Sequence, residues 1–307
     1  MGRSRAQSSV GAALDIVADQ WTLLIIRDLF AGVSTWKGLS DSLGISPATL
    51  RRRLDLLISD GCVDREQEAG KKQVRYKLTT QGFGLFPFLM AAREWQLRWD
   101  ARPEARVSKW HHSCGAALRC APFCRSCGEA VSSGDVALID EALHVNDTVT
   151  SPRRYRCKSY KPSQANDNHA AQRPKVVDVL GESRTTAVMA ALLRGIHRFD
   201  AIQQFTGLPP ATVSSRLRRI QLLDLGHTRL YQENPDRVLY QPSAAGRDLL
   251  SLSLQLMQWG NKWLADSIRL STQAMHRSCG QPLESVMRCE YCHGEVTFRN
   301  ALIDHKG

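Results

Sequence analysis

Hydrophobic residues recur at helical spacing near the start of the chain and alternate with polar residues further on. The spacing predicts helices over Ala12–Val17, Thr22–Phe30 and Trp36–Leu43, and a longer helix from Pro47 to about Asp60. Two segments, Cys62–Glu66 and Val74–Leu78, then alternate as short strands. A long helix is predicted from near Thr80, with an apolar stripe formed by Phe83, Phe86, Leu89, Trp95 and Trp99.

The helices on either side of Gly44 form a helix-turn-helix pattern. Ser46 suits an N-cap and Pro47 suits the first helical position. At 100° per residue, Arg52 points away from the inner stripe of leucines on the second helix. An outward Arg on this helix can contact guanine or phosphate, whereas an arginine face that is only solvated fits the same pattern.

The segment after the second helix favours a nucleic-acid contact. Lys71 and Lys72 lie at the turn of the predicted hairpin, where basic residues can grip phosphate as the wing of a winged helix. The residues predicted to contact DNA in this part of the chain are Ser46, Ala48, Thr49, Arg51, Arg52, Arg53, Lys71, Lys72 and Arg75.

The whole pattern occurs twice, which predicts a tandem duplication. LDIVADQWT at Leu14–Thr22 aligns with VDVLGESRT at Val177–Thr185, and Trp95 with Trp259, at offsets of 163 and 164 residues. The second copy predicts helices over Thr185–Leu193, Arg198–Phe205, Pro210–Leu223 and Ala244–Ile268, with a hairpin over Leu230–Tyr240. Its wing tip has mixed charge, and its predicted DNA contacts are Thr212, Ser215, Arg216, Arg218, Arg219 and Arg237.

Each repeat ends in two Cys/His half-sites separated by nine residues. A gap of two residues lets both ligands of a half-site turn onto one ion, and a His-Cys₃ set suits tetrahedral Zn²⁺. Four protein ligands leave no position for a catalytic water, so the sequence predicts one structural Zn²⁺ in a zinc ribbon in each repeat. The predicted ligands are His111, Cys114, Cys124 and Cys127 in the first repeat, and His276, Cys279, Cys289 and Cys292 in the second.

Three other residues compete as metal ligands. His112, Cys120 and His293 lie near the half-sites, but their counterparts in the other repeat are Arg277, Ser285 and Gly128. If both repeats bind metal in the same way, the ligands are therefore His111 and His276. Cys62 and Cys157 have no patterned partner, and Cys62 is predicted to be a buried strand residue.

Composition and charge limit the class of protein. Lys and Arg number 41 against 30 Asp and Glu, a net charge of +11, which favours an anionic partner such as nucleic acid. The segment between the repeats, with seven basic and two acidic residues over 146–175, is predicted to be a flexible linker that also touches DNA. No long apolar run predicts a membrane span, and an odd count of nine cysteines with Cys-x-x-Cys pairs fits a cytoplasmic metal-binding protein.

The first repeat resembles the HxlR family of bacterial winged-helix transcriptional regulators. The resemblance is carried by DQWTLLIIRDL at 19–29, GISPATL at 44–50, Arg53-Leu54, Asp60-Gly61 and Tyr76-x-Leu78-Thr79-x-x-Gly82. The second repeat keeps the Pro-Ala-Thr turn and Tyr240 but has Arg184 in place of Trp21. The resemblance implies a transcription factor that works as a dimer through its long terminal helices.

Together these observations predict a mainly α protein with small β elements. The predicted domains are a winged helix over 1–110, a ribbon over 111–145, a linker over 146–174, a second winged helix over 175–275 and a second ribbon over 276–307. The predicted function is sequence-specific binding of double-stranded DNA in transcriptional regulation, without enzymatic activity. The chain would act as a pseudo-dimer or as a homodimer, with an effector that the sequence does not identify. The alternative is a protein-interaction or effector-sensing module whose second repeat has vestigial DNA binding.

Overall fold

Each repeat begins with a winged helix-turn-helix. The computed structural model describes residues 9–67, 73–100, 110–142, 175–233, 236–265 and 270–303. In repeat 1, these residues form helices α1 (Ser9–Val17), α2 (Gln20–Phe30), α3 (Trp36–Leu43), α4 (Pro47–Ser59), α5 (Thr80–Phe83) and α6 (Phe86–Trp99), and strands β1 (Val63–Gln67), β2 (Val74–Leu78), β3 (Trp110–His112), β4 (Cys120–Cys124) and β5 (Val136–Ala142).

Repeat 2 follows the same order. Its helices are α7 (Lys175–Leu180), α8 (Ser183–Leu193), α9 (Phe199–Thr206), α10 (Pro210–Leu222) and α11 (Ala244–Trp263). Its strands are β6 (Gly226–Glu233), β7 (Asp236–Pro242), β8 (Leu270–His276), β9 (Ser285–Cys289) and β10 (Ala301–Ile303). The wing of each repeat is an antiparallel hairpin, β1 with β2 and β6 with β7.

Local capping fixes the helix-turn-helix of repeat 1. The Thr35 hydroxyl accepts a hydrogen bond from the backbone N–H of Gly38 and begins α3. Gly44, at φ 59°, ends α3 in the left-handed region that glycine adopts without strain. Ser46 then caps α4 by accepting from the N–H of Thr49, with Pro47 in the first turn. These residues form the turn that the sequence predicts.

The inner face of α4 anchors it in the core. Leu50, Leu54 and Leu57 are at most 1% exposed and belong to a single apolar cluster that extends through both repeats. In repeat 2, the matching side chains on α10 are Val213, Leu217 and Ile220, which are also buried. Burial of these faces positions the opposite faces of α4 and α10 toward solvent.

The two repeats exchange their first helices around a pseudo-two-fold axis. Helix α1 of repeat 1 packs on α11 of repeat 2, whereas α7 of repeat 2 packs on α2 and α6 of repeat 1. A Cβ at Gly260 of α11 would lie closer than 3.0 Å to the carbonyl oxygen of Ser9, so a glycine is needed where α1 crosses α11.

Matched tryptophans tie the long helices together. The indole N–H of Trp95 donates to the carbonyl of Ala245 at 2.8 Å, and that of Trp259 donates to the carbonyl of Gln81 at 2.9 Å. These four residues are related by the same offset of 164 positions. The aromatic stripe predicted on the long helices therefore forms the contact between the repeats.

The strands of the C-terminal segments pair between the repeats. β4 pairs with β9, β5 with β8, and β3 with β10, all antiparallel. In the first of these pairs Pro122 faces Met287, its counterpart 165 residues later, so the pseudo-two-fold axis passes through this pair. The sequence predicts a ribbon inside each repeat, but each strand pair in the structure uses one strand from each repeat.

Three boundaries differ from the sequence prediction. The helix predicted from Thr80 is broken after Phe83, because Pro87 lies in the first turn of a new helix and has no N–H to continue the old one. Helix α11 ends at Trp263 rather than Ile268. Strand β6 begins at Gly226, four residues earlier than predicted.

Two equivalent glycines allow the final helices to approach the wing hairpins. A Cβ at Gly82 would lie closer than 3.0 Å to the carbonyl oxygen of Cys62, and one at Gly246 closer than 3.0 Å to that of Leu225. We expect Gly82→Ala and Gly246→Ala each to lower the free energy of unfolding by about 2 kcal/mol through overpacking, measured by urea denaturation. Gly134→Ala is the control, because its nearest neighbour would be the Ser132 hydroxyl at 3.8 Å. Equal stability of all three variants would contradict this.

Candidate metal centres and nucleic-acid interface

Two clusters of one histidine and three cysteines lie at the junction between the repeats. In each cluster the ligand atoms are all within 4.8 Å of one another. Each cluster takes one half-site from each repeat, so that cluster A contains His112, Cys114, Cys289 and Cys292. Cluster B contains Cys124, Cys127, His276 and Cys279. Either cluster could hold a metal ion.

The distances within the clusters fit a tetrahedral ion. Nδ1 of His112 lies 3.3 Å from Sγ of Cys292, and Nδ1 of His276 lies 3.3 Å from Sγ of both Cys127 and Cys279. The thiols of Cys124 and Cys279 are 4.0 Å apart. Metal–ligand bonds of about 2.0–2.3 Å place tetrahedral ligands roughly 3.5–3.8 Å from one another, close to these values.

The knuckle turns prepare one thiol in each cluster for ionisation. Burial of the Cys124 thiol opposes ionisation, but hydrogen bonds from the backbone N–H groups of Cys127 and Ser126 outweigh it and lower its pKa. The pKa of Cys289 is lowered in the same way by the N–H groups of Cys292 and Tyr291. A lowered thiol pKa favours the thiolate form that binds metals.

The exchange of strands explains why the half-sites pair between repeats. Residues of β4 lie opposite those of β9 in reverse order, with Cys120 facing Cys289 and Cys124 facing Ser285. Antiparallel pairing therefore places each Cys-x-x-Cys knuckle beside the other repeat's His/Cys half-site. The prediction that Cys114 and Cys127 share one ion with Cys124 is wrong for this arrangement.

The histidine of the first half-site is His112 rather than the predicted His111. His111 forms a backbone bridge with Ala117, as Met275 does with Pro282, so His111 corresponds to Met275 and His112 to His276. The turn from histidine to cysteine is one residue shorter in repeat 1, which moves the histidine by one position. Adjacent strand residues point to opposite faces, so only His112, which is 4% exposed, faces cluster A.

The remaining cysteines in the described residues are buried thiols. Burial raises the pKa of Cys62 to about 12, and it also raises the pKa of Cys120 well above its usual value. Neither belongs to a metal cluster among the described residues, and the prediction that Cys62 is buried is confirmed. Cys157 lies outside the described residues. His293 adopts φ 59° in the knuckle turn, as does its positional counterpart Gly128 at φ 76°.

The outward face of α4 contains exposed basic residues. Ser46, Ala48, Arg51 and Arg52 are exposed, whereas Thr49 is half-buried with its hydroxyl 2.8 Å from that of Ser46. The Arg51 guanidinium lies 5.9 Å from the centre of the Trp36 ring, which orients it beside the helix. This face can contact the floor of a DNA groove or its phosphates.

Three predicted DNA contacts are instead engaged in ion pairs inside the protein. Arg53 pairs with Asp19 at 2.7 Å, and both side chains are at most 14% exposed. In repeat 2, Arg216 and Arg219 both pair with Glu182, the counterpart of Asp19. Asp19 and Glu182 also form a backbone bridge with each other, so these pairs join α4 and α10 to the boundary between the repeats.

The other predicted contacts differ in their accessibility. Ser215 and Arg218 are exposed on α10, and Thr212 is half-buried. Arg237 is exposed on β7, whereas Arg75 is half-buried on β2 opposite Glu66. Lys71 and Lys72, together with the basic segment between the repeats, lie outside the described residues.

The comparisons with known proteins decide the family. Two stretches, residues 16–104 and 179–268, match the HxlR-like helix-turn-helix family and together make up more than half of the chain. The chain belongs to the HxlR-like helix-turn-helix family. The two matches coincide with the winged helices of repeats 1 and 2, and the family assignment confirms the expectation of a transcriptional regulator that is not an enzyme.

The relatives of this HxlR-like chain are similar over one repeat. An uncharacterized HTH-type transcriptional regulator of Mycobacterium bovis is 36% identical over 130 residues, covering 42% of this chain and 82% of that protein. One from Bacillus subtilis is 26% identical over 94 residues, covering 30% of this chain and 87% of that protein. A solved structure of a transcription-factor candidate from Pseudomonas aeruginosa is 25% identical, with TM-score 0.32, and covers 40% of this chain and 84% of that one. Among the described helices, none has the length and apolarity needed to cross a membrane.

The structure separates two neighbouring arginines that the sequence treats alike. We expect Arg53→Ala to lower the free energy of unfolding by about 2 kcal/mol, because it leaves the Asp19 carboxylate partly buried without its ion pair. Arg52→Ala is the matched control and should change stability by less than about 0.5 kcal/mol. Chemical denaturation measures both, and similar losses in the two variants would argue against a structural role for Arg53.

Proposed function

We propose that this chain is a sequence-specific DNA-binding transcriptional regulator in which one polypeptide supplies both heads of a pseudo-dimer. The observation that carries the proposal is the pseudo-two-fold packing of two HxlR-like repeats, which leaves the outer faces of α4 and α10 exposed. Two heads related by such an axis match two half-sites of opposite direction on duplex DNA.

The two heads differ on the faces that would enter the grooves. Repeat 1 has Arg51 and Arg52 where repeat 2 has Ser214 and Ser215. Repeat 2 instead has its exposed arginine, Arg218, one helical turn further along, at the position of Asp55. The preferred operator is therefore an inverted repeat with two unequal half-sites.

Selection of bound sequences from a random DNA pool tests this operator. We expect an imperfect inverted repeat with the full chain. Ser215→Arg, which gives repeat 2 the arginine that repeat 1 has, should make the second half-site more similar to the first. Arg299→Ala, at an exposed site outside both helices, should leave the selected sequence unchanged. Recovery of a single half-site, or of no preferred sequence, would count against two DNA-reading heads.

We further propose that clusters A and B each bind one structural Zn²⁺. Three thiolates and one imidazole are the ligands that Zn²⁺ prefers, and four protein ligands leave no position for a catalytic water. Bound there, each ion would supply a cross-link between the repeats, because each half-site comes from a different repeat. The metals would then stabilise the pseudo-dimer rather than two separate ribbons.

Metal content distinguishes pairing between repeats from pairing within them. We expect Cys124→Ser/Cys279→Ser to retain one zinc ion per chain, because both cysteines belong to cluster B. Cys114→Ser/Cys127→Ser should lose both ions, because it damages both clusters. Pairing within repeats predicts the reverse, and elemental analysis by mass spectrometry measures the count. Cys120→Ser is the control: it introduces the residue that repeat 2 has at this position, and both ions should remain.

A further inference from the structure

An aromatic cluster fills one side of the junction between the repeats. The ring of Phe298, from repeat 2, lies 5.5 Å from that of Phe30, 5.1 Å from Phe83 and 5.6 Å from Phe86, measured between ring centres. These three partners belong to repeat 1. A phenyl ring from the C-terminal segment of one repeat therefore packs into the winged helix of the other.

The pseudo-symmetric position on the other side lacks these rings. Ser133 corresponds to Phe298, because both follow the same turn: the N–H of Ser132 donates to the carboxylate of Asp135 at 3.1 Å, as the N–H of Thr297 donates to the side chain of Asn300 at 2.8 Å. The hydroxyl-capped helix starts at Thr79 and Ser243 likewise align Phe83 with Arg247 and Phe86 with Leu250. Repeat 1 thus presents a serine where repeat 2 presents a phenyl ring.

A cavity of about 320 Å³ lies where the rings are missing. Its lining includes Ser133, Arg247 and Leu250, the counterparts of the three phenylalanines. The volume is within the range that small organic ligands occupy. Trp95, Leu254 and Met287 supply an apolar wall.

The charged groups of the cavity favour an anion. Its two carboxylates already contact arginines: Asp248 pairs with Arg98 at 3.1 Å, and Glu94 is held by Arg93 at 2.6 Å and by Arg119 at 2.7 Å. Arg247 is exposed at the cavity and donates to the carbonyl of Pro242 at 2.9 Å. Within the described part of the chain, Arg247 has no ion-pair partner, so its positive charge is available to a ligand.

We propose that this cavity binds one small aromatic carboxylate per chain. The ring occupies the position that corresponds to the Phe298 ring in the other half of the molecule. The carboxylate contacts the Arg247 guanidinium, which forms paired hydrogen bonds with carboxylates. Only one such site exists in each pseudo-dimer, because Phe298 fills its counterpart. The site binds its ligand whether or not the chain binds DNA.

Calorimetric titration of the full chain with benzoate tests the site. We expect one benzoate per chain, and loss of binding in Ser133→Phe, which places the phenyl ring of the other half in the cavity. Leu222→Phe adds the same ring at a site that is 83% exposed, outside the cavity, and should bind benzoate normally. Absence of benzoate binding to the unmodified chain, or unchanged binding to a folded Ser133→Phe variant, would overturn the proposal.

A second variant keeps the test decisive if Ser133→Phe does not fold. Arg247→Gln changes only an exposed side chain, so circular dichroism should show an intact fold. It should weaken benzoate binding at least about tenfold through loss of a charge-assisted hydrogen bond. Benzyl alcohol, which has the ring without the charge, should bind about equally weakly to both proteins. Equal affinity of Arg247→Gln and the unmodified chain for benzoate would also overturn the proposal.

Discussion

Antiparallel pairing of β4 with β9 is the contact on which the organisation of this chain depends. The strand pair is centred on Pro122 and Met287, and it places each Cys-x-x-Cys knuckle beside the other repeat's His/Cys half-site. Backbone hydrogen bonds determine this register, so the metal clusters follow from strand pairing rather than from nearness in sequence. Arg125 reinforces the junction through ion pairs of 2.7 Å and 2.9 Å with Glu284 and Glu295 of repeat 2.

The helical part of the interface obeys the same axis. Exchange of α1 and α7 covers apolar surface that a single repeat would expose, and Trp95 and Trp259 satisfy their buried N–H groups on carbonyls of the opposite repeat. Arg53 and Arg216 extend this organisation to the DNA-facing helices, since their carboxylate partners meet at the boundary between the repeats. An arginine on such a helix can therefore be part of the scaffold rather than part of the reading face.

Duplication within one chain frees the two halves to differ. A homodimer must present the same residue at both symmetric positions, whereas here Ser133 and Phe298 occupy them, as do Arg52 and Ser215. The first difference leaves a cavity on one side of the junction and an aromatic cluster on the other. The second gives the two recognition helices different surfaces. Both asymmetries arise at positions where the backbone remains pseudo-symmetric.

The sequence by itself determined the duplication, the winged helices and the family resemblance, because caps, helical spacing and turn residues act over a few positions. Leu50, Leu54 and Leu57 could be assigned to the core from their spacing alone. Only the tertiary structure decided which half-sites share a cluster and that His112 replaces His111, because strand pairing acts across more than 150 residues and a one-residue shift reverses the face of a strand. The roles of Arg53 and Arg216 were hidden for the same reason, since their partners Asp19 and Glu182 are distant in sequence.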